Sequence, residues 1–365
     1  MTQALKITWD IGTAYDMFIS LNVLHEPDRY GLRGAWAAGV RSRLPAAERE
    51  ILEQMTASFV WPLPWVHTLP APKDAITVLQ SLEQMSPEAR LPVLALHPSM
   101  PAEWGEILQQ VAARRGWDEA DLVALQAIYT ERRSKRKSKT IRKKLTDILD
   151  LWADPMEFGE GMLSALKIYQ RVFFEEEEHR IRPVLETALT QAQALAEELP
   201  VPDLLAELSQ GLHFTELGQL REVVLAPSFW VTPLMVILPL SEGRKLLVYG
   251  ARPADQSLVP GDPVPDALFQ ALKALADPTR LRIMRYLSGQ PMTPAELSRR
   301  LRLRAPTVVH HLHILRLARL VHLTIGPEGR RYAARREAVT AAFALLNSFL
   351  GESSVSELEV TEDRE

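Results

Sequence analysis

The chain contains no cysteine, and this absence excludes several kinds of chemistry. Without thiols there is no disulfide framework, no thiol nucleophile and no thiolate metal site. Histidine is also scarce, since nine occur in 365 residues and five of these are spread over the first 261. This scarcity weakens the case for an acid–base enzyme. The lack of thiols fits a reducing, cytoplasmic compartment.

Long apolar runs and leader signals are missing as well. The longest apolar stretch, Phe229–Leu240, is interrupted by two prolines and is too short to span a bilayer. The opening residues, MTQALKITWD, lack the basic start and apolar run of a secretory signal. No nucleophile elbow, zinc-protease motif or glycine-rich phosphate loop occurs. We therefore expect a cytoplasmic protein without membrane contact, enzymatic activity, metal or cofactor.

The overall composition is that of a globular protein. An apolar content of 47% and a charged content of 24% are ordinary, and the length allows two or three domains. Helical periodicity dominates before residue 221, and short β-rich segments follow. We predict an α+β fold, mostly α, with a mainly helical domain at residues 1–252. This domain should contain a small antiparallel sheet near residues 222–251, with a hairpin turn at Ser241–Arg244. An N-terminal strand, Leu5–Trp9, can join that sheet.

Four local patterns of this first domain carry further predictions. One long helix should cover residues 156–198, with a kink at Pro183. The acidic residues 175–178 within it are typical of a solvated face. The Pro-rich residues 61–72 predict an extended connection, because proline disfavours regular helix. The basic run Arg132–Lys144, with nine Lys and Arg, either contacts nucleic-acid phosphates or forms a solvated face.

The C-terminal part of the chain differs from the first domain in composition and charge. Residues 253–265 are rich in Pro, Gly and Asp and predict a linker, and residues 351–365 predict a disordered acidic tail. The segment Asp262–Leu350 carries 14 Lys and Arg against 6 Asp and Glu, so its net charge is +8 while the rest of the chain carries −12. A compact basic segment on an acidic chain indicates a nucleic-acid contact, or else a solvated basic face without a partner.

Helix signals divide residues 266–350 into a winged helix-turn-helix pattern. Asp277-Pro278 and Thr293-Pro294 each combine an N-cap with proline at the first helical position, and Ala305-Pro306-Thr307 opens a further helix. The short helix after Thr293 and the helix that follows have helix-turn-helix spacing. A Gly-containing turn, Gly326–Arg331, predicts a two-stranded wing. We further predict that the helix after Asp277 buries Leu281, Met284 and Leu287.

The helix that opens at Ala305 has a core face and an outward face. At 100° per residue, Val308, Leu312 and Leu315 form one stripe, whereas His310 and His313 face away from it. Polar side chains on such an outward face suit contacts to base edges and phosphates. Zinc binding by the histidines of this helix is the weaker alternative, because zinc needs further ligands at tetrahedral spacing and the sequence has no cysteine to supply them. The candidate DNA-binding residues are Thr293, Arg304, Pro306, Thr307, His310, His311, His313, Arg330 and Arg331.

Three segments, in this order and spacing, resemble ArsR-type winged-helix repressors. They are DPTRLRIM (Asp277–Met284), PAELSRRL (Pro294–Leu301) and TVVHHLHIL (Thr307–Leu315). The resemblance implies double-stranded DNA as a partner and a homodimer joined by the helices at Ala267–Ala276 and Glu337–Leu350. The alternative for those two helices is packing against the chain's own N-terminal region.

The sequence departs from the metal-sensing members of that family. Their cysteine pair matches Ser298 and Arg300 here, and of their last-helix metal ligands only Glu337 remains. The small polar residue usual before the histidine pair is Val309, and the glycine usual near the helix end is Arg319. The resemblance therefore implies the fold and the DNA contact without the metal site.

The region before the winged helix has a patchier resemblance. TAYDMFISLNVLHEPDRY, LDLWADPMEF and LAPSFWVTPLMVILP resemble landmarks of a large uncharacterised domain that precedes the winged helix in some ArsR-type regulators. This implies that residues 2–250 form one domain that modulates DNA binding. It could be a small-molecule sensor or a protein-interaction module, and a regulated enzyme is the third alternative. The candidate ligand-binding residues are Trp61, Trp65, His67 and Trp230. The alternative is a structural role, in which these aromatic rings pack a loop against the core.

Overall fold

The computed structural model describes residues 5–58, 61–98, 100–132, 138–214, 217–326 and 329–352. It confirms the predicted α+β class in which helices predominate. The predicted acidic tail beyond residue 352 and residues 133–137 of the basic run lie outside the described residues. Within the described part, no helix is both long and apolar enough to cross a membrane.

Thirteen described helices precede residue 209, and together with one sheet they form the N-terminal region, residues 5–252. They are α1 (Thr13–His25), α2 (Pro27–Tyr30), α3 (Gly34–Ser42), α4 (Ala46–Ser58), α5 (Leu63–Thr68), α6 (Ala75–Glu83), α7 (Pro87–Ala95), α8 (Ala102–Arg114), α9 (Glu119–Arg132), α10 (Ser138–Ala153), α11 (Pro155–Tyr169), α12 (Glu175–Glu198) and α13 (Val201–Leu208). Helix α1 is apolar on almost every side and is buried through most of its length, which places it at the centre of this region.

The strands of this region are β1 (Lys6–Trp9), β2 (Leu212–Phe214), β3 (Glu222–Ser228), β4 (Met235–Ser241) and β5 (Arg244–Gly250). Four of them form one sheet in the order β1-β3-β5-β4. The predicted hairpin β4–β5 is present and β1 joins the sheet. The prediction of an antiparallel sheet was wrong in part, because β1–β3 and β3–β5 are parallel. Long connections, through the helices and through β4, permit this parallel pairing.

One helical prediction in this region also needs correction. Residues 61–72 are not an extended connection throughout, because α5 forms with Pro64 in its first turn, where proline is tolerated. The predicted long helix is present, with Pro183 inside it and a π-helical turn at Gln170–Phe174. That turn lies where bulky aromatic side chains enter the core, since Phe173 and Phe174 are buried.

The acidic run at residues 175–178 is only half solvated. Glu175 and Glu176 are exposed, but Glu177 and Glu178 are buried, at 3% and 6% exposure. Successive residues point in different directions on a helix, so half of the run faces the core. There the Glu178 carboxylate accepts hydrogen bonds from the Thr13 hydroxyl and the Ala75 amide.

The winged helix, residues 266–352, follows the predicted element order. Its elements are α14 (Asp266–Leu275), α15 (Pro278–Leu287), α16 (Pro294–Leu301), α17 (Ala305–Leu317), β6 (Val321–Gly326), β7 (Gly329–Ala334) and α18 (Arg336–Glu352). It has a hydrophobic core of its own, built around α15, α17 and β6. The burial prediction for α15 was wrong at Leu281, which is 49% exposed, whereas Ile283 is fully buried. Leu281 lies roughly 110° from the centre of the stripe that Ile283, Met284 and Leu287 form.

The segment predicted as a linker packs against the N-terminal region. Leu258 is 1% exposed and belongs to the core of that region. Its amide donates a hydrogen bond of 2.7 Å to the Asp266 carboxylate at the start of α14. Arg252 lies 3.1 Å from the same carboxylate. The middle of the segment and the residue before it therefore both contact the beginning of the winged helix.

Candidate nucleic-acid interface

Local sequence signals fix the helix-turn-helix pair. The Asp277 carboxylate caps α15 by accepting from the Arg280 amide at 2.8 Å. Thr293 and Glu296 form a reciprocal capping box at the start of α16. The turn between α16 and α17 passes through Arg302, which has a left-handed backbone with φ 56°. These features hold α16 and α17 in fixed positions relative to each other.

Helix α17 has the predicted core face. Val308, Leu312 and Leu315 are at most 1% exposed. The exposed residues of its first half are Arg304, at the N-cap, Ala305, Pro306, Thr307, Val309 and His310. In a helix-turn-helix complex the N-terminal residues of the second helix contact base edges. The accessible part of α17 is therefore the part that such a complex uses.

The second half of α17 contacts the N-terminal region instead. His313 Nε2 lies 3.0 Å from the backbone oxygen of Arg29. The Arg316 guanidinium donates to the backbone oxygens of Ser209 and Gln210, both at 2.8 Å. His313, predicted as a groove residue, thus faces a neighbouring element. Burial, the largest cause, and the Arg29 charge lower the pKa of His313, so it is neutral at pH 7.

The remaining predicted DNA residues differ in their surroundings. Arg330 is exposed on β7, whereas the Arg331 guanidinium lies 3.8 Å from the Glu296 carboxylate. The Thr293 hydroxyl is committed to the capping box. His311 is partly buried, and its Nδ1 has no hydrogen-bond partner among the described residues. Burial lowers the pKa of His311, which keeps the ring neutral at pH 7.

The wing is wider than its predicted two strands. β6 and β7 pair antiparallel as predicted, and β2 of the N-terminal region adds a third strand, parallel to β6. The Leu323 amide donates to the Gly211 oxygen at 2.8 Å, and the rings of His213 and His322 approach to 3.2 Å between Nε2 and Nδ1. We call the contact of residues 209–214 with residues 321–325, Arg316 and Arg335 the β2–β6 interface.

Trp61 and Trp65, two of the three tryptophans predicted to bind a ligand, have different surroundings. The Trp61 ring packs 6.1 Å from the Tyr30 ring and lines a cleft of about 460 Å³. The Trp65 ring meets the edge of Phe18 at 6.3 Å. Trp65 is not among the residues that line that cleft. The structure therefore does not combine them into one binding wall.

His67 and Trp230 each contact an acidic side chain. His67 Nδ1 lies 2.7 Å from the Asp10 carboxylate. Burial opposes ionisation of Asp10, but hydrogen bonds from His67, Lys73 and Tyr15 outweigh it and lower the pKa of Asp10. Trp230 is fully buried, and its indole N–H donates to Glu177 at 2.9 Å. These contacts fix the fold of the N-terminal region.

Part of the basic run is described, and one of its charges is paired. Arg142 on α10 makes two hydrogen bonds, of 2.9 and 2.8 Å, to the Glu119 carboxylate of α9. This pair is exposed and links two helices of the N-terminal region. For Arg142 the geometry favours the helix-face alternative over a phosphate contact.

Sequence reasoning missed the arginines that join the two regions. Arg316 is 8% exposed and Arg252 is 5% exposed, and neither showed any local motif. One signal was available at Arg319, where the family resemblance implies a glycine. Its backbone has φ 60°, which is the left-handed conformation that glycine adopts most readily.

Comparisons with known proteins agree with this geometry. A family model described as a helix-turn-helix domain matches residues 275–324. The transcriptional repressor SdpR of Bacillus subtilis (strain 168) is 37% identical over 49 residues, which are 13% of this chain and 54% of SdpR. A crystal structure of an ArsR family transcriptional regulator is 31% identical to this chain, with a TM-score of 0.22. The match covers 97% of that regulator and 25% of this chain.

The capped helix pair and the wing define the C-terminal region as a winged helix-turn-helix. Its residues 275–324 also match a helix-turn-helix family model, which agrees with the helix-turn-helix part of the resemblance seen in the three segments. The match to SdpR spans about half the length of that curated relative.

Proposed function

We propose that this protein is a homodimeric transcriptional repressor that acts on double-stranded DNA in the cytoplasm. The observation that carries the proposal is the exposed first half of α17, which presents Arg304, Pro306, Thr307 and His310. These side chains offer a cation, a hydroxyl and an imidazole for phosphates and base edges. SdpR, the relative matched here, is itself a transcriptional repressor.

The charge distribution supports the same face. The segment Asp262–Leu350 has a net charge of +8 within a chain of net charge −4. Arg330 is exposed on the wing strand and, in this proposal, contacts a phosphate beside the groove that α17 enters. Arg331 would first have to leave the Glu296 carboxylate, 3.8 Å away. We therefore assign Arg330 to the DNA backbone and His310 to base readout.

Exposed apolar side chains support a dimer formed by α14 and α18. Leu272 is 40% exposed, Phe343 is 50% exposed and Leu350 is 62% exposed. Large apolar side chains gathered on outer helix faces mark an interaction surface. A second copy of the chain is the occupant that the ArsR-type domain implies. The symmetric dimer would present one α17 to each half-site of a palindromic operator.

The N-terminal region would modulate DNA binding through its contacts with α17. Arg29, Ser209 and Gln210 touch the same helix whose first half faces the groove. A ligand or partner protein can act only if it favours one arrangement of these contacts over another. A small-molecule sensor and a protein-interaction module remain the two versions of this role.

The test begins with fragments selected from the source genome by the purified full-length protein. Binding of the selected fragment is then measured against salt for wild type, Arg330→Ala and His310→Ala. Losing Arg330 should weaken all sequences alike and reduce the salt slope by about 1. Losing His310 should change the preferred bases. Arg282→Ala serves as the control, since Arg282 is an exposed arginine on α15.

Two results would contradict the proposal. If wild type selects no fragment, the protein does not bind DNA by itself. If Arg330→Ala and His310→Ala both behave like Arg282→Ala, the DNA contacts a different face. Sedimentation of Phe343→Glu tests the dimer separately, and an unchanged mass would remove α18 from the interface.

A further inference from the structure

A cleft of about 560 Å³ lies between the N-terminal region and the winged helix. Its walls come from the end of α13, from α14, from α18 and from the turn after α17. Much of its lining is small and apolar: Ala267, Ala271, Ala338, Ala341, Ala342 and Leu345. The volume is within the range of small-molecule sites, and the alanines leave room above the backbone.

Two arginines, Arg319 and Arg335, enter the lining of this cleft. Arg335 is partly committed, because it donates to the Gln210 oxygen at 3.0 Å and to Glu337 at 3.1 Å. The Arg319 guanidinium, in contrast, makes no hydrogen bond or ion pair with any residue in the described part of the chain. A guanidinium has five N–H donors, so Arg319 offers a complete fork.

The surroundings of Arg319 are short of negative charge. The positive charges of Arg252, Arg316 and Arg335 repel the Arg319 guanidinium. The carboxylate that attracts it belongs to Asp266, which is already 3.1 Å from Arg252. Burial, the largest cause, and the neighbouring arginines lower the pKa of Arg319 to about 9. The side chain is still protonated at pH 7. An anion in the cleft would relieve this repulsion and fill the vacant donors.

We propose that the cleft binds a small amphipathic carboxylate, with the acid on the Arg319 fork and the apolar body on the alanines. A monoanion fits better than a phosphate, because Glu207 also lines the cleft and would repel a dianion. The planar fork of Arg319 matches a carboxylate in bidentate geometry. The mostly alanine lining matches an apolar body.

The site would remain open in the dimer. At 100° per residue, Phe343 lies roughly 140° round α18 from Ala338, so the proposed dimer face and the cleft are on different sides of the helix. The ligand would touch Glu207 and Gln210 of the N-terminal region and Arg319 of the winged helix together. It would therefore bind across the boundary whose arrangement the proposed regulation has to change.

The test compares two probes of the same shape. Calorimetric titration of the full-length protein with 2-naphthoate, an anion at pH 7, should show saturable binding. The isosteric neutral 2-naphthamide should bind about 10-fold more weakly or worse, because a charge-assisted hydrogen bond to the fork is lost. In Arg319→Met the two probes should bind alike, and the control Arg282→Met should keep the wild-type ratio.

A second variant guards against misfolding of the first. Ala342→Leu keeps a strong helix former on α18 and narrows the cleft, so it should weaken both probes while Arg319 remains. The proposal is overturned if naphthoate does not bind, if both probes bind wild type equally, or if Ala342→Leu binds naphthoate as well as wild type does. The titration contains no DNA, so it fails or succeeds independently of the proposed function.

Discussion

The replacement Arg316→Met tests how strongly the N-terminal region holds α17. Arg316 is 8% exposed, and its two hydrogen bonds to Ser209 and Gln210, both 2.8 Å, cross the β2–β6 interface. Methionine has a similar length and apolar stem but donates no hydrogen bond. The change therefore removes the bonds while leaving most of the packing.

Opposing effects set the size of the loss. Hydrogen bonds from a charged donor contribute roughly 1.5 to 3 kcal/mol each, so the two together contribute about 3 to 6 kcal/mol. Burial, and secondly Arg335, lower the pKa of Arg316 from its ordinary value to about 10, which marks the cost of holding this charge without a carboxylate. That shift corresponds to roughly 3 kcal/mol. The difference is about 0 to 3 kcal/mol, and we expect Arg316→Met to destabilise the interface by about its midpoint, roughly 1.5 kcal/mol.

Hydrogen–deuterium exchange is the suitable assay, because a loss at one interface need not appear in global unfolding. Amides of residues 209–213 and 321–325 should exchange about 10-fold faster in Arg316→Met, while the core of α1 stays unchanged. The control Arg282→Met, on the exposed side of α15, should leave both segments as in wild type. Unchanged exchange in Arg316→Met would refute the reasoning, and so would a uniform increase over the whole chain.

Three further predictions concern the same fold. Gly211→Ala should open the β2–β6 interface, because Gly211 has φ +99° and an added Cβ would lie 2.8 Å from the His322 ring. Hydrogen–deuterium exchange at the interface checks this, and Gly218→Ala is the control because an added Cβ there meets open space. Burial, and then Arg335, lower the pKa of His322, so protonation below pH 6.5 disfavours the closed interface. The protection of amides there, corrected for the intrinsic pH dependence of exchange, should fall from pH 7 to 5, and less so in His322→Gln. Burial raises the pKa of Asp16 to about 7, so stability is greatest at low pH and should fall by roughly 2 kcal/mol between pH 5 and 7. Denaturation of Asp16→Asn should lack this fall, and an equal slope in both proteins would assign it elsewhere.

The winged helix could be predicted from the sequence because its signals are local. Asp277, Thr293 and Pro306 each mark a helix start within one turn of the residues they organise. The core stripe of α17 followed from helical spacing alone and is confirmed by burial. Such signals do not depend on what lies beyond the domain, so they survived the presence of a large neighbouring region.

The contacts between the two regions could not be predicted, because they join residues distant in sequence. His313 has the position of a groove residue on a helical wheel, yet its partner is the Arg29 backbone, 284 positions earlier. Strand β2 is three residues long and too short for a period-2 pattern. The buried acids of the run, Glu177 and Glu178, likewise accept hydrogen bonds from Trp230 and Thr13. Both donors are distant in sequence, so no local pattern predicts these contacts.

If both proposals hold, the cleft and the DNA face must influence each other equally. Binding energies are linked, so the factor by which operator DNA changes the affinity for naphthoate equals the factor by which naphthoate changes the affinity for DNA. Since α17 is one continuous helix, its DNA-facing half and its Arg316 end should move together. Titrating each ligand with and without saturating amounts of the other gives the two factors. Both should depart from one in wild type, and both should return towards one in Arg316→Met, where the connection across the β2–β6 interface is weakened. Equal factors of one in wild type would show that the cleft binds a carboxylate without any regulatory effect.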